Sequence, residues 1–494
     1  MLKNQSPLQL ARAYERERGP RIPAHERPLI HLTPLIGWMN DPNGFCVYKG
    51  EYHLFYQYYP YDTVWGPMHW GHAKSADLLH WTYLPCAMAP DTAADAGGCF
   101  SGSAVEMPDG RLMLVYTGVQ PAATGRRELQ AQCVAFGDGV DFVKADVNPV
   151  IQQAELPDPR YSPFDFRDPK AWRGEDGRLY LVAGNRHDER QGSILMYTSA
   201  DGLRWEFVTE LDSSGNAYGR MWECPDFFRL DGYHVLLTSP QEMRATGEFH
   251  AGNGTAAVLG HYDAREKRFI REAIQPIDNG LNFYAPQTTL APDGRRIMIG
   301  WMENWETCSG AKREHPWFGR MSLPRELSVR DGRLMQRPVR EIETIWQETV
   351  TRHDEILNGT ASYAGVSGRL IDMTLKLRLT DAACRRFTLR IAADNRHYTE
   401  VRCDLARGEL IFDRSHGGSD RDIVHTCHIR AEMKEGGLTL RLIMDKDCVE
   451  LFVNEGERVV SALIDTPLDA EGIIFTSDAP IRLDIDMHRL EQGT

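Results

Sequence analysis

No stretch of this chain approaches the roughly 18 consecutive apolar residues that a membrane-spanning helix needs. No Cys-x-x-Cys pair occurs either: the ten cysteines stand singly at 46, 86, 99, 133, 224, 308, 384, 403, 427 and 448. Basic charge is in deficit, with 56 Lys plus Arg against 70 Asp plus Glu and a net charge of −14. That balance argues against nucleic acid and anionic membrane as main partners. The first residues, Met1-Leu2-Lys3-Asn4-Gln5-Ser6-Pro7, run into the charged Arg12, Glu15, Arg16, Glu17 and Arg18 without the apolar core of a secretory signal. Scattered cysteines and no such signal lead to the expectation of a cytoplasmic protein with reduced thiols. His425-Thr426-Cys427-His428 has no second ligand group spaced to complete a tetrahedral site, so no metal is expected there.

What the chain does have is length, repetition and ordinary globular composition. It has 494 residues, 42% hydrophobic and 26% charged, enough for two to four domains. Five turn glycines precede strand-like apolar runs, at 50, 110, 177, 232 and 294, so the gaps are 60, 67, 55 and 62. Lys-Gly or Asp-Gly flanked by β-formers is a hairpin signal. Five hairpins at a period near 60 predict the blades of a propeller. A second repeat agrees: Ser75-Ala76-Asp77-Leu78-Leu79-His80-Trp81 returns as Ser199-Ala200-Asp201-Gly202-Leu203-Arg204-Trp205, two periods later.

From Arg337-Pro338 onward the pattern changes. Val339 to Thr351 reads as a short helix or linker. Beyond it apolar residues alternate, as in Leu370–Leu377, Leu438–Met444 and Val449–Val453. Period-two strands without helical breaks predict a β-sandwich. The expected organisation is all-β: an N-terminal helical extension (1–27), a five-bladed β-propeller (28–337), a linker (338–350) and a C-terminal β-sandwich (351–494).

Polar clusters precede the turn glycines: Asn40-Asp41-Pro42-Asn43-Gly44, Phe100-Ser101-Gly102-Ser103, Phe166-Arg167-Asp168-Pro169, Glu223-Cys224-Pro225 and Tyr284-Ala285-Pro286-Gln287. Their markers Asp41, Ser101, Asp168, Glu223 and Tyr284 are 60, 67, 55 and 61 residues apart, in phase with the hairpins. The innermost strand of each propeller blade lines the central channel, so the clusters are expected to converge at one mouth of it. Three of the five markers are carboxylates. Asp-Pro and Asn-Gly are turn formers in their own right, but three acids in phase, with Trp38, Trp65, Phe100 and Trp301 nearby, suit glycoside cleavage. One carboxyl acts there as acid and the other as nucleophile or base.

Trp38-Met39-Asn40-Asp41-Pro42-Asn43-Gly44, Phe166-Arg167-Asp168-Pro169 and Glu223-Cys224-Pro225, in that order, resemble the three signature motifs of glycoside hydrolase family 32. This is the family of invertases, sucrose-6-phosphate hydrolases, inulinases and levanases. The likeness extends to Trp65-Gly66-Pro67-Met68-His69-Trp70-Gly71-His72, Ser322-Leu323-Pro324-Arg325-Glu326-Leu327 and the sandwich segment Val449–Asn454. It implies that Asp41 is the nucleophile of a covalent fructosyl-enzyme. It also implies that Glu223 is the acid and then the base, and that Asp168, beside Arg167, stabilises the oxocarbenium-like transition state. Asn40, Gln57, Trp65, Phe100, Ser101, Arg167 and Trp301 would bind the sugar. A retaining reaction needs the two working carboxyls about 5 to 5.5 Å apart, which is the expectation for Asp41 and Glu223.

The expected activity is therefore a retaining β-fructofuranosidase acting on sucrose, sucrose 6-phosphate or short β-fructosides. Two carboxylates and water suffice, so no cofactor is expected, and the only expected partners are the sugar and, left open, a second copy of the chain. A fructosyltransferase, a non-catalytic fructoside-binding protein and an inverting five-bladed arabinan or xylan hydrolase are the alternatives. Two departures from the family pattern, Tyr59 after Gln57-Tyr58 and Asn282 before Phe283-Tyr284, are expected to alter the pocket rim. His69 and His72 are read as structural, and Lys312-Arg313-Glu314-His315 as surface charge or a phosphate contact.

Overall fold

The turn glycines do what their spacing implies. Gly50, Gly110, Gly177, Gly232 and Gly294 all adopt left-handed φ between 79° and 88°, a region closed to most side chains. Each joins the first two strands of an antiparallel sheet. The computed structural model, which describes residues 5–121, 127–188, 190–308, 315–380 and 383–491, arranges five such four-stranded sheets as propeller blades. Their first strands are Gly37–Tyr48, Gly98–Glu106, Tyr161–Arg173, Met221–Leu230 and Tyr284–Leu290. A short strand, Trp317–Phe318, pairs in parallel with Gly37–Trp38, so a segment from blade five returns to blade one.

The second repeat is a shared turn. Ser75 Oγ accepts the backbone N–H groups of Asp77 and Leu78, Asp77 Oδ1 accepts those of Leu79 and His80, and Trp81 Nε1 closes on Leu78 O at 3.1 Å. Ser199, Asp201 and Trp205 repeat the pattern, with Trp205 Nε1 on Gly202 O at 3.0 Å. Side-chain oxygens thus replace a backbone ladder where the chain turns.

Blades are tied across the axis by buried polar side chains. Gln287 Nε2 donates to Gly102 O at 2.7 Å, Ser103 Oγ to Pro169 O at 2.8 Å, and Lys170 Nζ meets Asp226 Oδ2 at 3.0 Å. Between neighbouring blades the fill is apolar, as in the cluster of Val115, Val134, Phe166, Leu181 and Leu195.

After the short turn Arg340–Ile345, the first strand of the C-terminal domain starts at Trp346 and runs to Ala361, inside the stretch expected to be linker. It and the remaining strands are hydrogen-bonded into one ten-stranded sheet. Its 19-residue last strand, Gly472–Leu490, pairs with Arg386–Ala393 through its first part and with Leu370–Leu379 through its second. Two layers joined by this strand enclose a single core that includes Leu375, Leu389, Leu440, Leu451 and Phe475. That is a sandwich with a continuous strand at its fold.

At the N-terminus, the helix Pro7–Arg18 begins at Ser6, whose Oγ accepts the Gln9 N–H while Gln9 caps Ser6 in return. It lies on the last strand of blade one, where Glu15 accepts the Cys86 N–H at 2.9 Å and Arg12 donates to Cys86 O. Among the described residues, no helix is long and apolar enough to cross a membrane.

Propeller and sandwich meet over a buried ionic knot. Arg325, fully buried, donates to Glu450 Oε2 at 2.6 Å, Asp278 Oδ2 at 3.0 Å and Ser461 Oγ at 2.6 Å. Glu450 also accepts from Leu323 N and contacts His31 Nε2 at 3.0 Å, while His31 Nδ1 meets Asp445 at 2.9 Å. Burial alone would raise the Glu450 carboxyl, but Arg325 and His31 overcome it and hold it at about 2. Removing one member leaves buried charges unpaired, so Arg325→Ala is expected to cost about 3–5 kcal/mol. Denaturant unfolding monitored by fluorescence measures it, and a loss below 1 kcal/mol would mean that the knot is dispensable.

Candidate active site

Every blade's first strand is interrupted at the equivalent place. Register shifts fall between Met39 and Pro42, Phe100 and Gly102, Glu223 and Asp226, and Tyr284 and Gln287. In blade three the break falls at Arg167–Lys170, opposite Val182–Gly184. Asp168, Cys224 and Ala285 sit in these bulges with φ of 65°, 48° and 52°. A bulge turns extra side chains out of the ladder, and left-handed non-glycine backbone costs on the order of 1–3 kcal/mol per residue. Three of the five motifs are therefore aimed by strained backbone.

Aimed together, they line one pocket of about 600 Å³ that includes Asn40, Asp41, Gln57, Trp65, Phe100, Ser101, Arg167, Asp168 and Glu223. Asp41 Oδ2 accepts Ser101 Oγ at 2.6 Å and the Cys224 thiol at 3.4 Å, and Asp41 Oδ1 accepts Asn40 Nδ2 at 3.1 Å. Asn40 is itself fixed by Trp38 Nε1 at 2.7 Å. Asp168 Oδ2 accepts the Cys224 N–H at 3.0 Å. Glu223 is held from both sides, by Arg167 Nε on Oε1 at 2.9 Å and by the Tyr284 hydroxyl on Oε2 at 2.6 Å. Gln57 uses its Nε2 on Cys99 O at 3.0 Å. Trp65, 47% exposed, meets Phe100 edge-on at 6.0 Å and forms an aromatic rim.

The electrostatics follow from crowding. Burial raises Asp41, and the Glu223 charge adds to it against the pull of the Ser101 hydroxyl. Burial, Glu223 and Asp41 together raise Asp168 to about 7. Crowded in this way, Asp168 retains its proton into the neutral range. Such a site offers, in one place, ionised carboxylate as nucleophile and a proton for a leaving group.

Trp301 is a correction. It is fully buried, absent from the pocket wall, and packs behind it against Trp305 at 5.0 Å and Trp38 at 6.1 Å. Trp305, from the turn Trp305–Cys308, reaches the pocket in its place. Asn282 is off the rim as well: its Oδ1 accepts Arg414 Nη1 at 2.7 Å and its Nδ2 donates to Glu303 at 2.9 Å, at the seam with the sandwich. Sequence reasoning missed Arg127, Glu128, Gln130, Phe164, Asp165 and Gln241 on the wall. Asp165 had a signal, since it shares a strand face with Arg167 two residues on; the rest come from loops and strand ends that repeat nothing. His69 and His72 are inward and bonded, to Pro67 O at 2.9 Å and to His53 Nδ1 at 3.0 Å. Lys312, Arg313 and Glu314 lie outside the described residues.

For a metal, the described residues bring one trio together, His31, Asp445 and Cys448, with ligand atoms within 4.8 Å. Both His31 nitrogens already face carboxylates, Asp445 accepts the N–H groups of Leu29 and Ile30, and Asp447 alongside binds Arg320 at 2.5 Å. These partners make the trio part of the interdomain knot, whose donors and acceptors are engaged with one another.

Crowding has a cost that a neutral side chain removes. Asp168 keeps its proton in the fold where the unfolded chain has lost it, so it destabilises the protein progressively from about pH 4 to about pH 7. Asp168→Asn is expected to gain about 2 kcal/mol at pH 8 and nothing at pH 4, a Tm rise of a few degrees. Thermal melts at both pH values check it; an equal shift at both would rule out the ionisation.

Known proteins place this arrangement. Residues 31–338 match the glycosyl hydrolases family 32 N-terminal domain and residues 339–487 the family's C-terminal domain. The chain is similar to a sucrose-6-phosphate hydrolase of Escherichia coli, 37% identical over 455 residues that cover 89% of this chain and 91% of that one. It is also similar to a raffinose invertase of the same species, at 36% identity over 88% of this chain and 89% of that one. Among solved structures, a Bombyx mori family 32 beta-fructofuranosidase variant in complex with sucrose superposes with a TM-score of 0.83 at 32% identity, covering 99% of each chain. Propeller, sandwich and the bulge-borne acids thus have one common source: this chain belongs to glycosyl hydrolase family 32.

Proposed function

We propose that the protein is a retaining β-fructofuranosidase that releases fructose from sucrose, sucrose 6-phosphate or short β-fructosides. The carrying observation is that Asp41, Asp168 and Glu223 share one pocket, with Glu223 held by Arg167 and Tyr284. The family's sucrose-cleaving relatives support the substrate class.

In this reading Asp41 attacks the anomeric carbon of the fructosyl unit. The glycosidic C–O bond breaks as Glu223 delivers its proton to the leaving oxygen, and an ester joins fructose to Asp41. Water then gives a proton to Glu223 and its oxygen to the anomeric carbon, which releases fructose with retained configuration and restores both carboxyls. The Ser101 and Asn40 donors favour the charged form of Asp41. Arg167 and Tyr284 fix Glu223 for transfer in both directions. Asp168 faces the sugar hydroxyls and the developing positive charge, and Gln57, Trp65 and Phe100 complete the fructose subsite, with Trp301 acting only from behind. The ten cysteines are all free thiols, which suits the cytoplasmic placement included in this reading.

Asp41→Asn and Glu223→Gln are each expected to lower kcat on sucrose by at least roughly 10²–10⁴-fold with the fold intact. Fructose release beside a circular-dichroism control tests this; full activity in Asp41→Asn would remove Asp41 as the nucleophile, and no release from wild type would leave only a fructoside-binding protein. NMR of the first-formed fructose anomer tests retention; an inverted product would sink the double displacement. Replacing water by sugar acceptors in the same assay measures how far transfer competes with hydrolysis.

A further inference from the structure

The two ends of the pocket differ in charge. Asn40 and Ser101 surround Asp41, while Arg167, Gln130 and Asp165 gather on the side of Glu223: Arg167 reaches Glu223 at 2.9 Å and Gln130 at 3.2 Å. A general acid protonates the leaving oxygen, so the Glu223 side is the leaving-group side. There Asp165, 6% exposed, faces three guanidinium groups, Arg127 at 2.9 Å, Arg167 at 3.5 Å and Arg186 at 3.5 Å. Arg186 also has Glu242 at 2.9 Å, a carboxylate it shares with Arg220 at 3.4 Å. When Glu223 carries the proton it donates, it no longer balances Arg167, and the single charge of Asp165 is divided between Arg167 and Arg127.

Arg127 is then the most exposed of the three cations that Asp165 serves, with Glu128 beside it on the pocket wall. Among the described residues it has no carboxylate but Asp165 within 4.0 Å. Its side chain is 56% exposed, lies over the Phe164 ring at 5.2 Å, and is tethered to Asp165 through Nη2. A guanidinium fixed at one nitrogen and steadied on an aromatic face presents its remaining N–H groups in the fork that suits phosphate oxygens.

Resting on the fructofuranosidase reading, we propose that Arg127 is the specificity-determining residue of the leaving-group subsite. It binds a phosphate monoester on the leaving sugar, with Gln130 and Phe164 beside it. Asp165 is a positioning residue that holds Arg127 at the mouth while keeping Arg167 against Glu223. The charged segment around Lys312 has no part in this assignment.

The test compares kcat/KM on sucrose 6-phosphate and on sucrose for wild type, Arg127→Gln and Arg127→Lys, with competitive inhibition of wild type by glucose and by glucose 6-phosphate. Wild type is expected to favour the phosphate ester, and Arg127→Gln to reduce that preference by roughly 10–100-fold, the loss typical of a charged hydrogen-bonded contact. Arg127→Lys should keep part of the preference, because it retains the charge and loses the fork. Glucose 6-phosphate should inhibit wild type at lower concentration than glucose. Equal inhibition by the two sugars overturns the proposal even if the variants fail to fold, as does an Arg127→Gln enzyme whose preference is unchanged. Absence of fructose from either substrate with wild type is the separate failure of the β-fructofuranosidase reading.

Discussion

Everything at the centre of this molecule answers to the repulsion among three crowded carboxyls. Asp41, Asp168 and Glu223 come from three different blades and would separate if left to their charges. They are held by donors that are themselves held: Ser101 and Asn40 on Asp41, the Cys224 N–H on Asp168, Arg167 and Tyr284 on Glu223. Each donor sits in or beside a bulge, so the strain of left-handed Asp168, Cys224 and Ala285 serves the same purpose as the hydrogen bonds. Backbone energy stored in three of the five bulges helps to keep the acids converged. The five-fold repeat supplies the convergence, and the rest of the fold must be stiff enough to sustain it.

Stiffness comes from two kinds of burial. Apolar wedges between blades fill the propeller, while polar stitches such as Gln287 to Gly102 and Lys170 to Asp226 close its axis. Outside the ring, the sandwich covers the blade-five and blade-one side through Arg325, Glu450, Asp278 and His31. That knot binds the strand Arg325–Arg330 of blade five, the segment entering blade one and the sandwich strand Cys448–Val453. Trp317–Phe318, only five residues past Lys312, pairs with Trp38, whose indole fixes Asn40 beside Asp41. Arg320, over the Trp317 ring and bonded to Asp447 of the sandwich, completes a short chain of contacts from the sandwich to Asp41, which gives the C-terminal domain a structural bearing on the site without any of its described residues in the pocket wall.

The leaving-group side is built on a different principle. Deep in the pocket every acid is tied by donors that converge on it, whereas at the mouth the one charge of Asp165 serves three arginines. Matching fixes geometry for chemistry; mismatch leaves charge for a ligand. The same guanidinium–carboxylate pairing thus performs positioning at Arg167 and recognition at Arg127, and burial decides which, because a half-exposed Arg127 can turn toward solvent and an enclosed Arg167 cannot.

The sequence by itself determined whatever repeats. Turn glycines near every sixtieth residue, the Ser-x-Asp turn and the period-two strands after residue 351 are local codes written in φ preference, side-chain capping and alternation. They made the propeller, the sandwich and the in-phase acids legible, while Asn40, Gln57, Trp65, Phe100, Ser101 and Arg167, all on the pocket wall, were implied by the family resemblance. Tertiary structure alone decided which neighbours of those motifs face the pocket. Trp301 and Trp305 are four residues apart and both aromatic, yet the first is enclosed behind the wall and the second forms it. Asn282, next to a motif, belongs to the sandwich seam, whereas Arg127 and Gln241, far from any motif, reach the rim. Repetition encodes the backbone path because each blade is folded by its own residues. The facing of a loop side chain depends on which other blade it meets, and no local stretch of sequence carries that.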